Sequence, residues 1–120
     1  MYQALKQTFR RVFGEEPTLL FSAPGRTELI GNHTDHQYGR VLAAAIDRGV
    51  TADFEANGGK TVRVTSSESP AFELRIDHLS PRTTEFGSSK ALVRGVLSAF
   101  HELGLNIGGF DAAIRSSLPL

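Results

Sequence analysis

The sequence predicts an α+β fold, in which a mixed and mostly antiparallel sheet carries its helices on one face. Apolar residues recur at helical spacing near the N-terminus and again after residue 88. Between these segments, apolar and polar residues alternate in several short runs, as they do in half-buried strands. Runs of strands with few helices between them favour an α+β arrangement over a regular alternation of strand and helix.

The N-terminal quarter predicts one helix and one strand. Residues 2–13 have the apolar stripe of an amphipathic helix, and Gly14 is a natural stop. The stripe is short, so we expect this helix to dock on the protein rather than to lie on a membrane. A short buried strand follows at 18–23 and is closed by Pro24-Gly25, and a polar loop then runs to Gly39.

The middle of the chain predicts a series of strands. A buried run at 41–46 precedes a half-buried strand at 49–56. The sequence Asn57-Gly58-Gly59 is typical of a hairpin turn, which leads into a returning strand at 60–66. A third alternating run contains Phe72, Leu74 and Ile76.

The C-terminal third predicts a loop, a helix and a last strand. Residues 78–87 form the loop, and Ser88 or Ser89 can cap the helix, which Gly104 ends. The last strand alternates through 110–114. The apolar face of the helix consists of Leu92, Val96, Ala99, Phe100 and Leu103.

Composition narrows the class of protein. The chain has 120 residues, 13 Lys+Arg and 13 Asp+Glu, so it lacks the basic excess expected of a nucleic-acid binder. No stretch approaches the roughly 20 apolar residues that cross a bilayer. With no cysteine there is no disulfide scaffold or thiolate metal site. We therefore expect a soluble, cytoplasmic protein without nucleic-acid or membrane partners.

The segment with the richest chemistry lies between Ala23 and Gly39. Arg26 offers a planar fork of donors that suits a phosphate or a carboxylate. Asp35 can accept hydrogen bonds from two neighbouring hydroxyls, as a sugar presents them, and Asn32 can both donate and accept. Loops set on a rigid sheet are common places for binding groups.

From the residues alone, three interpretations of this segment stay open. It is a metal site, since His33, Asp35 and His36 can all be ligands, although their spacing is not that of a helical zinc motif. It is a polar loop whose side chains only cap the backbone. Or it is a sugar or polyol site with a phosphate-facing arginine.

The run Pro24-Gly25-Arg26-Thr27-Glu28-Leu29-Ile30-Gly31-Asn32-His33-Thr34-Asp35 resembles the galactokinase signature, usually P-G-R-V-N-L-I-G-E-H-T-D-Y. Galactokinases belong to the GHMP small-molecule kinases. The segments 41–46, 90–95 and 109–119 resemble further parts of the same family. The resemblance thus covers essentially the whole chain, in order.

The resemblance implies that residues 1–120 form the N-terminal, galactose-binding portion of a GHMP-kinase fold. The parent protein would transfer the γ-phosphoryl group of ATP to the anomeric hydroxyl of galactose, with Mg²⁺. It places Arg26 near the transferred phosphoryl group and Asn32, His33, Thr34 and Asp35 at the sugar hydroxyls. It also places Ser66 near the adenine of ATP, although Ser66 could equally be an ordinary turn serine.

The sequence departs from the family pattern in ways that leave the sugar open. Asn32 stands in place of the usual acid, Glu28 in place of a common Asn, and His36 in place of a common Tyr. Ser88-Ser89 stands where relatives often carry an aromatic residue. Two alternatives are therefore a catalytically silent sugar sensor and another GHMP kinase that acts on a small alcohol.

In the family, the phosphate loop, the catalytic aspartate and the acid that binds Mg²⁺ all follow the segment that ends here at Leu120. We therefore expect residues 1–120 alone to be inactive. We also expect them to expose apolar faces and sheet edges that pair with another chain.

Overall fold

The computed structural model describes residues 2–31 and 38–119. Within these ranges the strands form one sheet in the order β1-β2-β5-β3-β4, and only the β3–β5 pair is parallel. The α+β class with a mixed, mostly antiparallel sheet is confirmed. In chain order the elements are α1 (Tyr2–Phe13), β1 (Leu19–Ile30), β2 (Leu42–Ala56), β3 (Thr61–Ser66), β4 (Phe72–Arg75), a 3₁₀ turn (Thr83–Glu85), α2 (Ser89–Glu102) and β5 (Phe110–Ser116).

The two helices cover opposite faces of the sheet, which corrects the expectation that both lie on one face. Ala113 of β5 is buried against Leu5 and Phe9 of α1. Its neighbour Ala112 is buried in the cluster that includes Leu97 of α2. Consecutive residues of a strand point to opposite faces of a sheet. Because both alanines are small, a helix can approach β5 closely from either side.

Helix α1 has the predicted bounds and docks on the sheet as predicted. Leu5 and Phe9 are the buried residues of its apolar stripe, and burying each contributes roughly 2 kcal/mol. At its end the Gly14 N–H donates to the carbonyl of Arg10 at 2.9 Å. Among the described residues, no helix has both the length and the apolar character that spanning a membrane requires.

The first two strands are longer than predicted. β1 continues through Pro24-Gly25 to Ile30, and β2 is unbroken from Leu42 to Ala56, so the predicted polar loop starting at residue 24 and the break after 46 are wrong. The β1–β2 register shifts between Pro24 and Arg26 and again between Glu28 and Ile30. Irregularities of this kind let an edge strand accept a proline, which has no N–H for the ladder.

The predicted hairpin between β2 and β3 is also wrong, because β5 lies between these two strands. β5 enters the sheet at the turn, where the Gly109 N–H donates to the carbonyl of Gly59 at 2.9 Å. A Cβ atom on Gly109 would lie 2.6–2.7 Å from oxygens of Asn57, Gly59 and Thr61. Only glycine therefore fits where β5 passes between the strands.

Helix α2 starts as predicted but buries a different face. The Ser88 hydroxyl accepts a hydrogen bond from the Ala91 N–H at 3.2 Å, which confirms the cap. The buried residues of the helix are Arg94 and Leu97. The predicted apolar face is instead largely open to solvent, with Leu92 exposed to 74%.

Candidate functional site

The site region lies at the far end of the β1–β2 pair. Residues 50–56 of β2 also pair with β5, whereas among the described residues the part from 42 to 45 pairs only with β1 and projects beyond the rest of the sheet. Gly31 has a φ of +97°, and a Cβ there would lie 2.5 Å from the carbonyl oxygen of Arg40. The backbone at Gly31 therefore lies too close to the backbone at Arg40 for a larger residue to fit at position 31.

Arg26 lies on β1 rather than in a loop, opposite Ala45 of β2. Its side chain is 64% exposed, and its Nη2 donates to Oε1 of Glu28 at 3.1 Å. Glu28 is opposite Ala43, so the neighbouring strand offers only methyl groups at these two positions. The arrangement holds an accessible guanidinium beside a carboxylate that restricts its orientation.

The four predicted sugar-binding residues, Asn32, His33, Thr34 and Asp35, lie outside the described residues, so their roles stay predictions. The candidate metal ligand His36 lies there too. Among residues 2–31 and 38–119, no group of three or more His, Asp or Glu is placed to hold a metal ion.

The segment after β5 packs against β1 and β2 close to Arg26. The Ser117 N–H donates to the carbonyl of Gly49 at 2.9 Å, and the Gly49 N–H donates to Oγ of Ser117 at 3.0 Å. A Cβ on Gly25 would clash with the Leu118 side chain. Leu118 therefore lies beside Gly25, the residue before Arg26.

Ser66, the predicted adenine-facing residue, lies at the end of β3, where its hydroxyl accepts from the Glu68 N–H at 3.1 Å. This bond is also what an ordinary turn serine makes. β5 and β2 separate β3 from β1, and neighbouring strands lie about 4.8 Å apart, so roughly 14 Å separate β3 and β1. The structure therefore does not bring Ser66 into contact with Arg26.

Comparison with known proteins matches this geometry to one family. The galactokinase galactose-binding signature matches residues 7–54. The galactokinases of Streptomyces coelicolor and Homo sapiens are 34% and 36% identical to the chain over 94% and 96% of its length. The crystal structure of Lactococcus lactis galactokinase complexed with galactose covers 98% of the chain at 30% identity, with a TM-score of 0.84. The chain is similar to galactokinases over nearly its whole length.

The chain spans 29–30% of the length of these curated galactokinases and 31% of the Lactococcus lactis galactokinase chain. The Methanococcus jannaschii mevalonate kinase covers 85% of the chain with a TM-score of 0.65 at 18% identity. At that identity the likeness concerns the fold alone. The fold is thus that of the GHMP kinases.

A buried ion pair that the sequence did not indicate ties α2 to the loop that precedes it. Arg94 is 4% exposed, and its Nε and Nη2 donate to the two carboxylate oxygens of Glu85 at 2.7 and 2.9 Å. Its Nη1 donates to the carbonyl of His78. The hydrogen bonds from Arg94 hold the pKa of Glu85 below its ordinary value. Arg94 lies within the predicted helix after residue 88, but the 3₁₀ turn that places Glu85 against it was not predicted from the sequence.

A second buried carboxylate lies under the end of α1. Asp111 of β5 is fully buried, and its Oδ1 accepts from Nδ2 of Asn57 at 2.9 Å and from Nε of Arg63 at 2.7 Å. The Arg63 guanidinium lies 5.2 Å from the centre of the Phe13 ring. The hydrogen bond to Asp111 raises the pKa of Arg63. This cluster joins β5, β3, the 57–59 turn and α1.

A third carboxylate, Asp53, is buried without such support. It is 4% exposed, and its Oδ2 has no hydrogen-bond partner among the described residues. Burial raises the pKa of Asp53, and the positive charge of Lys6 opposes this only in part. Asp53 therefore costs the folded state free energy when it is ionised.

We expect Asp53→Asn to raise the free energy of unfolding at pH 7 by about 1 kcal/mol. Since the pKa of Asp53 is higher in the folded than in the unfolded state, the wild type loses stability as pH rises through that raised pKa. The variant lacks this loss. Urea unfolding between pH 4 and 8 measures both effects, with Asp47→Asn on the exposed part of β2 as the control. A variant less stable than wild type at pH 7 would contradict the expectation.

Proposed function

We propose that this sequence belongs to a protein that transfers the γ-phosphoryl group of ATP to the anomeric hydroxyl of galactose, giving galactose 1-phosphate. The observation that carries the proposal is the match of the galactose-binding signature to residues 7–54. Further support comes from the Lactococcus lactis galactokinase, which was crystallised with galactose and resembles nearly the whole chain. Residues 1–120 would then be the galactose-binding N-terminal portion of the enzyme.

In this proposal Arg26 stabilises the negative charge that develops on the transferred phosphoryl group. Its side chain is 64% exposed, and its hydrogen bond to Glu28 restricts the orientation of a planar guanidinium that suits a phosphate. Preorganised donors of this kind are an effective means of lowering a phosphoryl-transfer barrier. Asn32, His33, Thr34 and Asp35 would bind the sugar hydroxyls, with Asn32 both donating and accepting.

Ser66 would lie at the adenine end of ATP. Its separation from β1 suits an extended nucleotide better than direct contact with the sugar. When bound, Mg²⁺ neutralises charge on the phosphates. The resemblance places the acid that binds Mg²⁺ after the segment that ends at Leu120. We therefore assign no Mg²⁺ ligand within residues 2–31 and 38–119. A cytoplasmic location, consistent with the absence of cysteine, completes the proposal.

The test is a coupled ATPase assay on the full-length product of the gene that carries this sequence, with galactose, glucose, N-acetylgalactosamine and mevalonate as acceptors. We expect turnover with galactose, and none for residues 1–120 alone, because phosphoryl transfer needs several groups to act together. Binding of galactose without turnover would favour a sugar sensor. Turnover only with mevalonate would favour another GHMP kinase, and either result would reject the proposal.

We also propose that residues 1–120 on their own self-associate. β1 and β4 are the edges of the sheet, and Leu19, Leu20 and Phe21 on β1 are each about half exposed. An open edge next to exposed apolar side chains is a surface on which a second strand can pair. Light scattering over a concentration series measures the mass, and a single monomeric species at high concentration would contradict this proposal.

A further inference from the structure

A cavity of about 240 Å³ lies between the first turns of α1 and the start of β1. We call it the Asp53 cavity, because the buried carboxylate of Asp53 on β2 is part of its wall. Asp53 is opposite Ala113 of β5, which packs against α1, so Asp53 lies on the face of the sheet that α1 covers. Further lining residues are Tyr2, Gln3, Lys6, Pro17 and Leu20.

The carboxylate of Asp53 is the feature that indicates a ligand. Its Oδ2 has no hydrogen-bond partner within residues 2–31 and 38–119, whereas the buried Asp111 accepts from Asn57 and Arg63. Buried polar atoms in folded proteins nearly always have a partner, either from the protein or from a bound molecule. The terminal torsion of an aspartate is broad, so a small rotation presents a carboxylate oxygen to the cavity. A donor bound in the cavity then supplies the partner that the described residues do not.

Lys6 is placed to bind the opposite charge of such a ligand. Burial raises the pKa of Asp53 and the Lys6 ammonium partly opposes this, so the two charges are near each other. Lys6 nevertheless does not donate to Oδ2 of Asp53. A ligand with both an ammonium and a carboxylate can bridge this gap, because its ammonium donates to Asp53 and its carboxylate accepts from Lys6. The first turn of α1 carries no acidic side chain, and the positive end of the helix dipole favours the same carboxylate.

The rest of the wall suits an aliphatic group. Pro17, Leu19 and Leu20 contribute apolar surface. The cavity is smaller than the sites that hold drug-sized ligands, so it suits a compact molecule. A bare metal cation fits less well, because Lys6 repels it and no group of three His, Asp or Glu among the described residues is placed to hold one.

We propose that the Asp53 cavity binds a free aliphatic α-amino acid, with its ammonium on Asp53, its carboxylate on Lys6 and its side chain on the apolar wall. Neither Arg26 nor Ser66 lines this cavity, and no residue is shared with the groove that Ser66 lines. Arg26 is six residues beyond Leu20 along β1, which corresponds to about 20 Å. The site is thus separate from the residues of the proposed function and does not rest on it.

The experiment is calorimetry on the full-length product of the gene with L-leucine and two truncated analogues. Isopentylamine lacks the carboxylate of leucine, and isocaproate lacks its ammonium. We expect L-leucine to bind about tenfold or more tightly than either analogue, since each has lost one charge-assisted hydrogen bond. Asp53→Asn should weaken L-leucine and isopentylamine by about tenfold or more, and Lys6→Gln should weaken L-leucine and isocaproate.

The matched controls are Asp47→Asn and Lys60→Gln. Both residues are exposed, neither lines the Asp53 cavity, and each substitution changes the net charge as its counterpart does. Because Asp53→Asn is expected to be more stable than the wild type, its weaker binding is not a loss of folding.

A cavity that holds only water predicts no binding of L-leucine to the wild type. That result, unchanged affinity in Asp53→Asn, or equal weakening in the controls would each overturn the proposal. Calorimetry follows binding and not turnover, so the outcome is decided whether or not galactose is phosphorylated.

Discussion

Replacing Arg26 with alanine is expected to lower kcat for galactose phosphorylation by the full-length protein about 10²–10³-fold, as losing one charge-stabilising donor typically does. The guanidinium is accessible and is held beside Glu28, so little reorganisation is needed when charge develops near it. KM for galactose should change much less, because the interaction strengthens in the transition state. Steady-state kinetics at saturating ATP and Mg²⁺ measure both constants.

Two further variants separate the role of Arg26 from that of charge in general. Arg48→Ala removes an exposed arginine from β2, the strand that pairs with β1, and should leave kcat close to wild type. Arg26→Lys keeps the charge but not the planar fork and should recover only part of the lost activity. Equal kcat values for Arg26→Ala and the wild type would show that Arg26 takes no part in phosphoryl transfer.

Local patterns predicted the helices and the later strands well. Gly14 correctly predicted the end of α1, and Ser88 correctly predicted the start of α2, because helix stops and caps act within a few residues. The course of β1 could not be predicted in this way. Pro24-Gly25 is a turn signal in isolation, and only pairing with β2 with shifted register keeps the chain extended there.

The order of the strands in the sheet could not be predicted from the sequence for a similar reason. Asn57-Gly58-Gly59 is typical of a hairpin, yet β5 lies between the strands that this turn connects. β5 can enter there because Gly109 fits among the side-chain oxygen of Asn57 and the backbone oxygens of Gly59 and Thr61, and Gly109 lies some fifty positions further along the chain. Periodicity reports which face of a strand is apolar, but it does not report which strand lies beside it.

The candidate site likewise has a part that the sequence predicts and a part that it does not predict. The signature that includes Arg26 is a local motif. The sequence alone was therefore sufficient to find this motif and to indicate the family that it resembles. The contact of Leu118 with Gly25 and the pairing of Ser117 with Gly49 are long-range, and no pattern around either residue predicts them. These contacts bring the segment after β5 next to Arg26. A motif of consecutive residues contains no information about such contacts.

Among these long-range arrangements, the burial of Asp111 is the one that we expect to affect the free energy of unfolding most. Asp111 is a polar position in the alternating strand β5, and α1 covers its face of the sheet and leaves it fully buried between Asn57 and Arg63. In a buried site these charge-assisted hydrogen bonds are what offsets the cost of removing the carboxylate from water. Removing the carboxylate leaves the amide of Asn57 and the guanidinium of Arg63 without their shared acceptor.

We therefore expect Asp111→Ala to lower the free energy of unfolding by about 3 kcal/mol, measured by urea unfolding at pH 7. Asp77→Ala removes an equally charged partner of an arginine, but from the exposed Arg75–Asp77 pair, and should cost far less. Asp111→Asn keeps the volume and tests charge alone: its amide still offers one acceptor but adds donors that face Arg63 or Asn57. A loss for Asp111→Ala no larger than that for Asp77→Ala would mean that solvent reaches the cluster. In that case the docking of α1 on β5 would have to be looser than the burial of Phe9 and Ala113 indicates.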